Sequence, residues 1–340
     1  MSETTGTTTG TNTGAATGTA TTASPNYNVN LTTSTGLSAE MKTYYDLELI
    51  TLAEAELVHD QFGQKRDIPK NGGKSIEFRR FDPLPEAAEP LVEGVTPDGQ
   101  SMSAKTVTAT LKQYGGYITL SDMVQLTAAD QILTEATRQI ASQAGRTLDT
   151  ITREILNAGT VVQFAAGQVS SRENLYYTSA TDNCNLTVDA IRKAVRFLEK
   201  QDAPRINGKY VGIIHPDCKY DLMSDPDWKD PHQYVDTGEI YENEIGELYG
   251  VRFVESSRAK VFTGAGKNSA DVYATLILGE NAYGVTSVHN GGLTHIVKPL
   301  GSAGSADPLN QRGSVGWKAA RTAEILVPQY MVRIESTATP

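Results

Sequence analysis

The chain has 340 residues and a formal net charge of −10 at pH 7, with charged side chains at 21% of positions. This acidic balance argues against a protein whose main work is to grip nucleic-acid phosphates. No apolar run approaches the ~20 residues that span a bilayer, and the first residues lack the basic and apolar segments of a secretory signal. Cys184 and Cys218 lie far apart and form no CxxC motif, so we expect free thiols in a reducing compartment.

The first two segments differ in composition. Residues 1–36 are almost entirely Thr, Gly, Ala, Ser and Asn, and Glu3 carries their only charge. Such a segment buries too little apolar surface to offset its ordering entropy, so we predict a disordered tail. Residues 37–62 place Leu47 and Ile50 among apolar positions at loosely helical spacing, which predicts an N-terminal arm helix.

The segment 63–121 has the pattern of an extended β-hairpin loop. Apolar and polar side chains alternate over 74–81, and the alternation returns over 105–120. This pattern is typical of strands. Between these strands the chain contains four prolines, several acidic residues and little that could form a core. Two-stranded ribbons are only marginally stable alone. We therefore expect this hairpin to become stable by lying on another surface, most economically on a second copy of the chain.

Charge is unevenly distributed along this hairpin. Residues 65–80 hold six basic and two acidic side chains, whereas residues 82–98 hold five acidic side chains and no basic one. The acidic tip of one subunit could therefore contact the basic strand of a neighbour through exposed ion pairs. The candidate assembly contacts are Lys74, Arg79, Arg80, Glu86, Glu89 and Glu93.

The most regular pattern in the chain is a long amphipathic helix over 127–159, where apolar residues recur every three or four positions. We assign the segment 122–186 to this helix and a peripheral region. Residues 187–300 alternate helix and strand patterns, as in LTVDAIRKAVRFLEK followed by KYVGIIH, and are assigned to an α/β domain. Residues 301–340 predict two closing strands joined near Pro328.

Three stretches could carry chemistry, and each also has a simpler structural explanation. TGAGKNSA (263–270) fails as a phosphate loop because it lacks the upstream glycine and the Ser or Thr after Gly-Lys, so we expect a turn. His215 follows a buried strand, where catalytic residues often lie, but it also suits a helix cap. Three carboxylates and a histidine could hold a divalent ion or form an exposed acidic loop. These four residues are Asp225, Asp227, Asp230 and His232.

No constellation of residues supports catalysis. The sequence has no GxSxG motif, and no second histidine has a recognisable spacing to His215. We therefore expect that the protein is not an enzyme and has no catalytic residue, no cofactor and no metal site.

Seven runs of the sequence, taken in order along the chain, carry a family likeness. They are GLSAEMKTYYD, LVHDQFGQKRDIPKNGGKSIEFRRFDPLP, EGVTPDGQ, RTLDTITREILNAGT, IHPDCKYDLMSD, IGELYGVRFVES and GSAGSADPLNQRGSVGWKA. These runs closely resemble a family of tailed-bacteriophage major capsid proteins, and the resemblance covers about 36–336. It implies the Johnson fold, an α+β fold shared by tailed-phage and herpesvirus major capsid proteins. That fold has an N-terminal arm, an extended β-hairpin loop, a long spine helix, peripheral strands and an axial α/β domain, here 187–300.

The resemblance also implies a function. Proteins of this family are structural and assemble into hexamers and pentamers, which form an icosahedral shell around double-stranded DNA. The implied partners are copies of the chain itself, together with portal, scaffolding and decoration proteins. DNA would be held by enclosure with weak contacts, and no membrane is expected. The implied location is the virion capsid, with the host cytoplasm before assembly, and the family implies no catalytic residues.

Two other hypotheses stay open at this point. A surface-layer or adhesin-type structural protein would account for the acidity, the Thr/Gly richness and the few cysteines, but the absence of an export signal counts against it. An α/β hydrolase-like enzyme with a non-standard site is the third hypothesis. Electron microscopy of the purified protein separates the three, because they predict closed shells, flat lattices and small discrete particles.

Overall fold

The computed structural model describes most of the chain from Leu57 onward. The described residues are 49, 53, 57–69, 72–82, 84–88, 90, 93–94, 96, 98–127, 132–165, 169–179, 182–228, 244–288, 293–302 and 307–340. The predicted tail and most of the predicted arm helix lie outside them. Leu49 and Ala53 are helical and fully buried, whereas the chain turns over 59–62 instead of continuing as a helix.

Four α-helices are described: α1 (Asp122–Thr127), α2 (Ile132–Asn157), α3 (Val188–Lys200) and α4 (Pro216–Ser224). The 26 residues of α2 span about 39 Å. Helix α3 begins where the Thr187 side chain accepts a hydrogen bond from the amide of Ala190. Three short 3-10 helices occupy Arg172–Asn174, Lys267–Ser269 and Pro328–Tyr330.

Fourteen strands are described, and their bounds follow in chain order. They are β1 (Gln64–Ile68), β2 (Ser75–Phe81), β3 (Ala104–Thr110), β4 (Lys112–Ser121), β5 (Val162–Phe164), β6 (Tyr210–Ile214), β7 (Glu244–Leu248), β8 (Val251–Glu255), β9 (Val261–Phe262), β10 (Val272–Leu278), β11 (Tyr283–Val288), β12 (Leu293–Lys298), β13 (Arg312–Ile325) and β14 (Met331–Ser336). They form a five-stranded sheet, a seven-stranded sheet and a two-stranded sheet.

The five-stranded sheet is built around the long strand β13. Strand β4 pairs along one side of it, and β11 and β12 run end to end along the other, with β1 parallel to β11 outside them. Helix α2 packs on one face, where Ile140, Ala144 and Leu148 share a core with Val315 and Trp317. The apolar stripe predicted from the sequence is thus the stripe that α2 buries.

The seven-stranded sheet has the order β5-β14-β10-β6-β8-β7, with β9 paired to β10. Its core is shared with α3 and α4 and includes Ile191, Leu198, Leu222 and Phe253. All six residues of β14 are buried. A strand buried along its whole length fits the interior of a sheet rather than an edge.

The strands do not follow the predicted segments one by one. The single strand predicted over 105–120 is interrupted at Leu111, and only its first half stays in the hairpin, because β4 pairs with β13. The two predicted closing strands are present, but β13 and β14 lie in different sheets on either side of the 3-10 helix Pro328–Tyr330. Strands β11 and β12, from the predicted segment 187–300, pair with β13. The domain boundaries themselves stay predictions.

Candidate assembly hairpin and its anchors

The hairpin of β2 and β3 is the candidate assembly element. Its strands pair antiparallel from Ser75↔Thr110 to Phe81↔Ala104. The amide of Leu111 donates to the carbonyl of Lys74 at the base (2.8 Å), and the amide of Asp82 donates to the carbonyl of Ser103 at the far end (3.1 Å). Beyond that bond the described residues form no helix or strand, and the segment from Asp82 to Ser103 is the tip of the hairpin.

The base of the hairpin is anchored on its own subunit, and support of its tip by a second copy stays a prediction. Phe78 is 3% exposed. A Cβ placed on Gly284 would lie 2.7 Å from two ring carbons of Phe78, so the ring lies directly on the backbone of β11. The guanidinium of Arg66 lies 5.6 Å from the centre of the same ring. Only glycine leaves room for this approach.

The tip, by contrast, leaves apolar side chains in solvent. In the tip Leu84 is 52% exposed and Met102 is 67% exposed, and Phe81, the last residue of β2, is 60% exposed. Single exposed apolar residues are common on protein surfaces, but several on one short element indicate an interaction site. Leu84 and Met102 are therefore apolar side chains of the tip that the described part of the subunit leaves in solvent.

The six candidate contact residues are placed apart. Arg79 pairs with Glu77 on its own strand (3.5 Å), and Arg80 pairs with Asp82 (3.7 Å). Lys74 is exposed at the base of the hairpin, and Glu86 and Glu93 are exposed in the tip. Glu89 lies outside the described residues. The structure does not bring the arginines together with Glu86 or Glu93.

Asp82 forms ion pairs with a basic residue of each hairpin strand, Arg80 of β2 and Lys105 of β3. Lys105 lies 3.1 Å from its carboxylate, and Ser103 donates a second hydrogen bond at 3.3 Å. The hydrogen bond from Lys105, followed by the charges of Lys105 and Arg80, lowers the pKa of Asp82. The end of the strand pair is therefore neutralised locally.

A buried polar cluster holds the chain just before β1. The backbone amide of His59 donates to Oδ1 of Asp149 on α2 (2.8 Å), and Nδ1 of His59 lies 2.8 Å from Oδ2. Both residues are completely buried. The hydroxyl of Tyr283 on β11 donates to the carbonyl of His59. His59 and Asp149 lie 90 positions apart in the sequence and are joined by two hydrogen bonds. Because both residues are buried, loss of either partner would leave the other without a replacement from water.

Asp60 continues this cluster towards the five-stranded sheet. Its carboxylate accepts from the hydroxyl of Thr152 (2.5 Å) and forms an ion pair with Arg321 on β13. Burial raises the pKa of Asp60 above its ordinary value, although the charge of Arg321 and the hydrogen bond from Thr152 act in the opposite direction. Burial also raises the pKa of Tyr283 well above its usual range.

A second buried charge cluster fastens β14. Glu335 is 1% exposed and accepts two hydrogen bonds from Arg172, at 2.8 and 2.6 Å, and one from Nε of Arg333 at 2.9 Å. The guanidinium of Arg172 also lies 3.5 Å from the ring centre of Phe262. The hydrogen bond to Glu335 raises the pKa of Arg172, whereas burial lowers the pKa of Arg333. One buried carboxylate therefore pairs with two cations, the buried Arg333 and the partly exposed Arg172.

The stretches that could have carried chemistry take structural roles. His215 caps α4, because its Nδ1 accepts from the amide of Asp217 (3.2 Å) and Pro216 occupies the first turn. The stretch 263–270 forms a turn with the 3-10 helix Lys267–Ser269. Asp225 accepts a hydrogen bond from the amide of Val188 (3.1 Å), and Asp227 is exposed. Asp230 and His232 lie outside the described residues.

Both cysteines are free, as the sequence predicted, and both are buried. Within the described ranges no group of three or more His, Cys, Asp or Glu side chains is placed to hold a metal ion. None of the helices in the described part of the chain is long and apolar enough to cross a membrane.

Sequence reasoning missed the buried polar cluster around His59. A signal for it exists in α2, because Asp149 and Thr152 fall among its buried positions. A carboxylate on the buried stripe of an amphipathic helix needs a partner. The partner could not be identified, because His59 lies 90 positions away in the chain and a local pattern does not show which distant segment packs on a helix.

Comparison with known proteins identifies the family. The family model described as phage capsid protein matches residues 104–334, more than half of the chain. The chain belongs to the phage capsid protein family. A search of curated proteins gives no match.

Solved capsid structures are similar to this capsid protein in fold. The capsid of Cyanophage Pam1 is 13% identical with a TM-score of 0.64, and the match covers 82% of this chain and 89% of that chain. The capsid of Ralstonia phage GP4 is 13% identical with a TM-score of 0.60, covering 82% and 88%. The mature capsid of bacteriophage PhiM1 is 15% identical with a TM-score of 0.59, covering 83% and 88%.

These likenesses confirm the α+β capsid fold that the sequence predicted. The family also makes this protein a structural component of a phage capsid, as predicted. The assignment of α2 as the spine helix of that fold stays a prediction.

Proposed function

We propose that the protein is the major shell subunit of a tailed phage, which self-assembles into hexamers and pentamers of an icosahedral shell enclosing double-stranded DNA. The observation that carries this proposal is the match of the phage capsid family model over residues 104–334. The exposed apolar side chains of the hairpin tip support it, because a subunit that forms a lattice needs surfaces that neighbours cover.

The proposal is tested by assembly of the purified protein. Electron microscopy and light scattering at micromolar concentration should reveal closed particles, or rings of five and six subunits. A compact monomer that does not change on concentration would contradict the proposal. Flat lattices would favour a surface-layer protein instead.

The proposed partners follow from the same role. They are other copies of the chain and portal, scaffolding and decoration proteins, with subunits in the host cytoplasm before assembly and in the virion capsid afterwards. No catalytic activity is part of the proposal. A net charge of −10 favours holding DNA by enclosure. Isolated subunits should therefore bind DNA weakly, without sequence preference, and lose it as salt is raised.

The six candidate contact residues remain a proposal for how neighbours meet. Exchanging Arg79 and Arg80 for Glu should leave the subunit folded by circular dichroism but impair assembly. Adding Glu86→Arg and Glu89→Arg should restore part of it, because the opposite charges are exchanged. Normal assembly of the first double variant would remove Arg79 and Arg80 from the interface. Their present pairing with Glu77 and Asp82 makes this test necessary.

A further inference from the structure

Strand β4 forms a long open edge of the five-stranded sheet. Its ten residues pair with β13 in ten consecutive positions, and β13 is its only partner strand in the described part of the chain. The backbone N–H and C=O groups on the other side of β4 therefore meet no strand that the structure describes. Six of the ten residues are exposed. An exposed edge of this length is a template to which another strand can pair.

Two other edge strands, β1 and β7, are protected against such pairing. Each has five residues, three of the five in β1 are charged, and β7 contains a register shift between Glu244 and Gly246. Short length, charge and bulges all discourage the addition of a strand. Strand β4 has no proline and no register shift, and Lys112 is its only charged residue. Its edge therefore lacks the usual protection.

The sequence of β4 is complementary to itself in one antiparallel register. If two copies pair about a twofold axis at Tyr117, Lys112 of each copy lies opposite Asp122 of the other, and Gly116 lies opposite Ile118. Asp122 directly follows β4, at the start of α1. Opposite charges across a strand pair stabilise it, and glycine leaves room for a branched side chain opposite. Moving the axis by one residue would remove this opposition of charges.

The apolar residues of β4 that face solvent lie next to this axis. Tyr117 is 76% exposed, and Ile118 is 36% exposed. A Cβ on Gly116 would lie 2.7 Å from Oε1 of Gln143 on α2, so Gly116 and Ile118 point towards the helix and Tyr117 points away from it. In the paired sheet the two Tyr117 rings would lie side by side across the axis, as aromatic cross-strand pairs do. Pairing would therefore cover Tyr117 and Ile118 together.

Two charged groups at the ends of the edge are available to this pairing. Lys112 is exposed and forms no ion pair with a residue that the structure describes. Oδ1 of Asp122 accepts a hydrogen bond from the amide of Met123 (2.7 Å), which holds the carboxylate at the start of α1. Twofold symmetry would form the pair of Lys112 with Asp122 twice, once at each end. Because exposed ion pairs are weak, their main effect would be to select the register.

We propose that β4 pairs antiparallel with β4 of a second copy, about a twofold axis at Tyr117, and so joins two five-stranded sheets into one continuous sheet. Both copies use the same surface, and a contact of this kind closes after two subunits. It therefore cannot extend a ring of five or six subunits, but it can link one ring to the next. The inference rests on the proposed shell function and names a surface through which neighbouring hexamers and pentamers meet.

Disulfide trapping in the full-length protein tests this pairing. Tyr117→Cys should give a covalent dimer, and nothing larger, when assembled protein is oxidised and run on a non-reducing gel. Residues directly opposite each other in an antiparallel pair lie about 4.5–5.5 Å apart at Cα, within the reach of a disulfide. Both native cysteines are buried and should not interfere.

Thr119→Cys is the matched control, because Thr119 is exposed on the same strand and the same face. In the proposed register it lies opposite Gly115, about 14 Å along the strand from Thr119 of the second copy, and should give no dimer. Absence of the dimer from assembled Tyr117→Cys protein, or equal dimer from both variants, would overturn the proposal.

A charge exchange tests the register without introducing cysteines. Lys112→Glu should raise the protein concentration needed for assembly by about tenfold, because it sets two like-charged pairs across each contact. Adding Asp122→Lys should restore part of the assembly. Lys200→Glu, on the exposed face of α3, is the control and should assemble normally. Normal assembly of Lys112→Glu would overturn the pairing, while wild-type shells would leave the shell function standing. If the wild-type protein forms no rings or shells, the proposed function itself fails.

Discussion

The ring of Phe78 lies against the backbone of Gly284, and this contact fixes the hairpin on the five-stranded sheet of its own subunit. Arg66 covers the ring from β1. The hairpin is therefore anchored partway along β2, and we expect loss of this contact to act on the stability of the subunit.

Gly284→Ala should destabilise the subunit, because the new methyl group would lie 2.7 Å from the ring of Phe78 and the ring would have to move. Overpacking of this kind costs about 1–3 kcal/mol in the free energy of unfolding, measured by urea denaturation. Proteolysis within the hairpin should become faster. Gly99→Ala is the control, since a Cβ there meets nothing within 4 Å. If the two variants were equally stable, packing of the Phe78 ring would not require glycine at position 284.

Asp149→Ala should be far more damaging than loss of an exposed ion pair. It leaves the amide and the ring nitrogen of His59 buried without their acceptor, and each buried polar group that loses its hydrogen-bond partner costs about 1–3 kcal/mol in the free energy of unfolding. The comparison is Glu199→Ala, which breaks the exposed pair of Glu199 with Arg205 and should cost less than about 1 kcal/mol. Similar urea midpoints for the two variants would contradict the assigned role of the buried pair.

The contributions of Asp60 and Glu154 to the free energy of unfolding should change with pH in opposite directions. Burial raises the pKa of Asp60 in the folded state above its ordinary value of 3.8. The folded state then binds the proton more tightly than the unfolded state, so this contribution to stability falls as pH rises through the window above 3.8. Wild-type stability relative to Asp60→Asn should therefore decrease with rising pH across that window.

Glu154 provides the opposite case. Burial raises its pKa, but the hydrogen bonds from Lys260 and Arg153 outweigh burial, and the net pKa is lowered. Its contribution is present above the unfolded pKa and is lost as pH falls through the folded value. Urea denaturation of unassembled wild type, Asp60→Asn and Glu154→Gln over acidic to neutral pH measures both slopes. Slopes of the same sign would refute the assignment.

The thiol of Cys218 should be inert in the native protein. It is fully buried, and burial raises its pKa to about 12, so almost no thiolate forms near neutral pH. Cys184 is 2% exposed. An alkylating reagent should label neither thiol until denaturant is added, and then both. Tyr220→Cys, at an exposed position, is the positive control for labelling. Rapid labelling of native wild-type protein would contradict this.

Much of the local structure followed from the sequence. The period of α2, the helix over 188–200 and the strand at 210–214 are local patterns, and the structure contains all three. The start of α4 was predicted too, since a polar side chain before a helix and proline in its first turn act on their immediate neighbours. The unequal charge of the hairpin was likewise a property of the chain alone.

Long-range pairing was decided only by the tertiary structure. The sequence predicted two closing strands but could not show that β13 and β14 enter different sheets, because strand partners depend on segments far away in the chain. For the same reason the sequence did not predict the pairing of His59 with Asp149 or the contact of Phe78 with Gly284. The sequence around each of these residues fits an ordinary helix, turn or strand. The role of each residue comes from a contact with a distant segment, which forms only when the chain is folded.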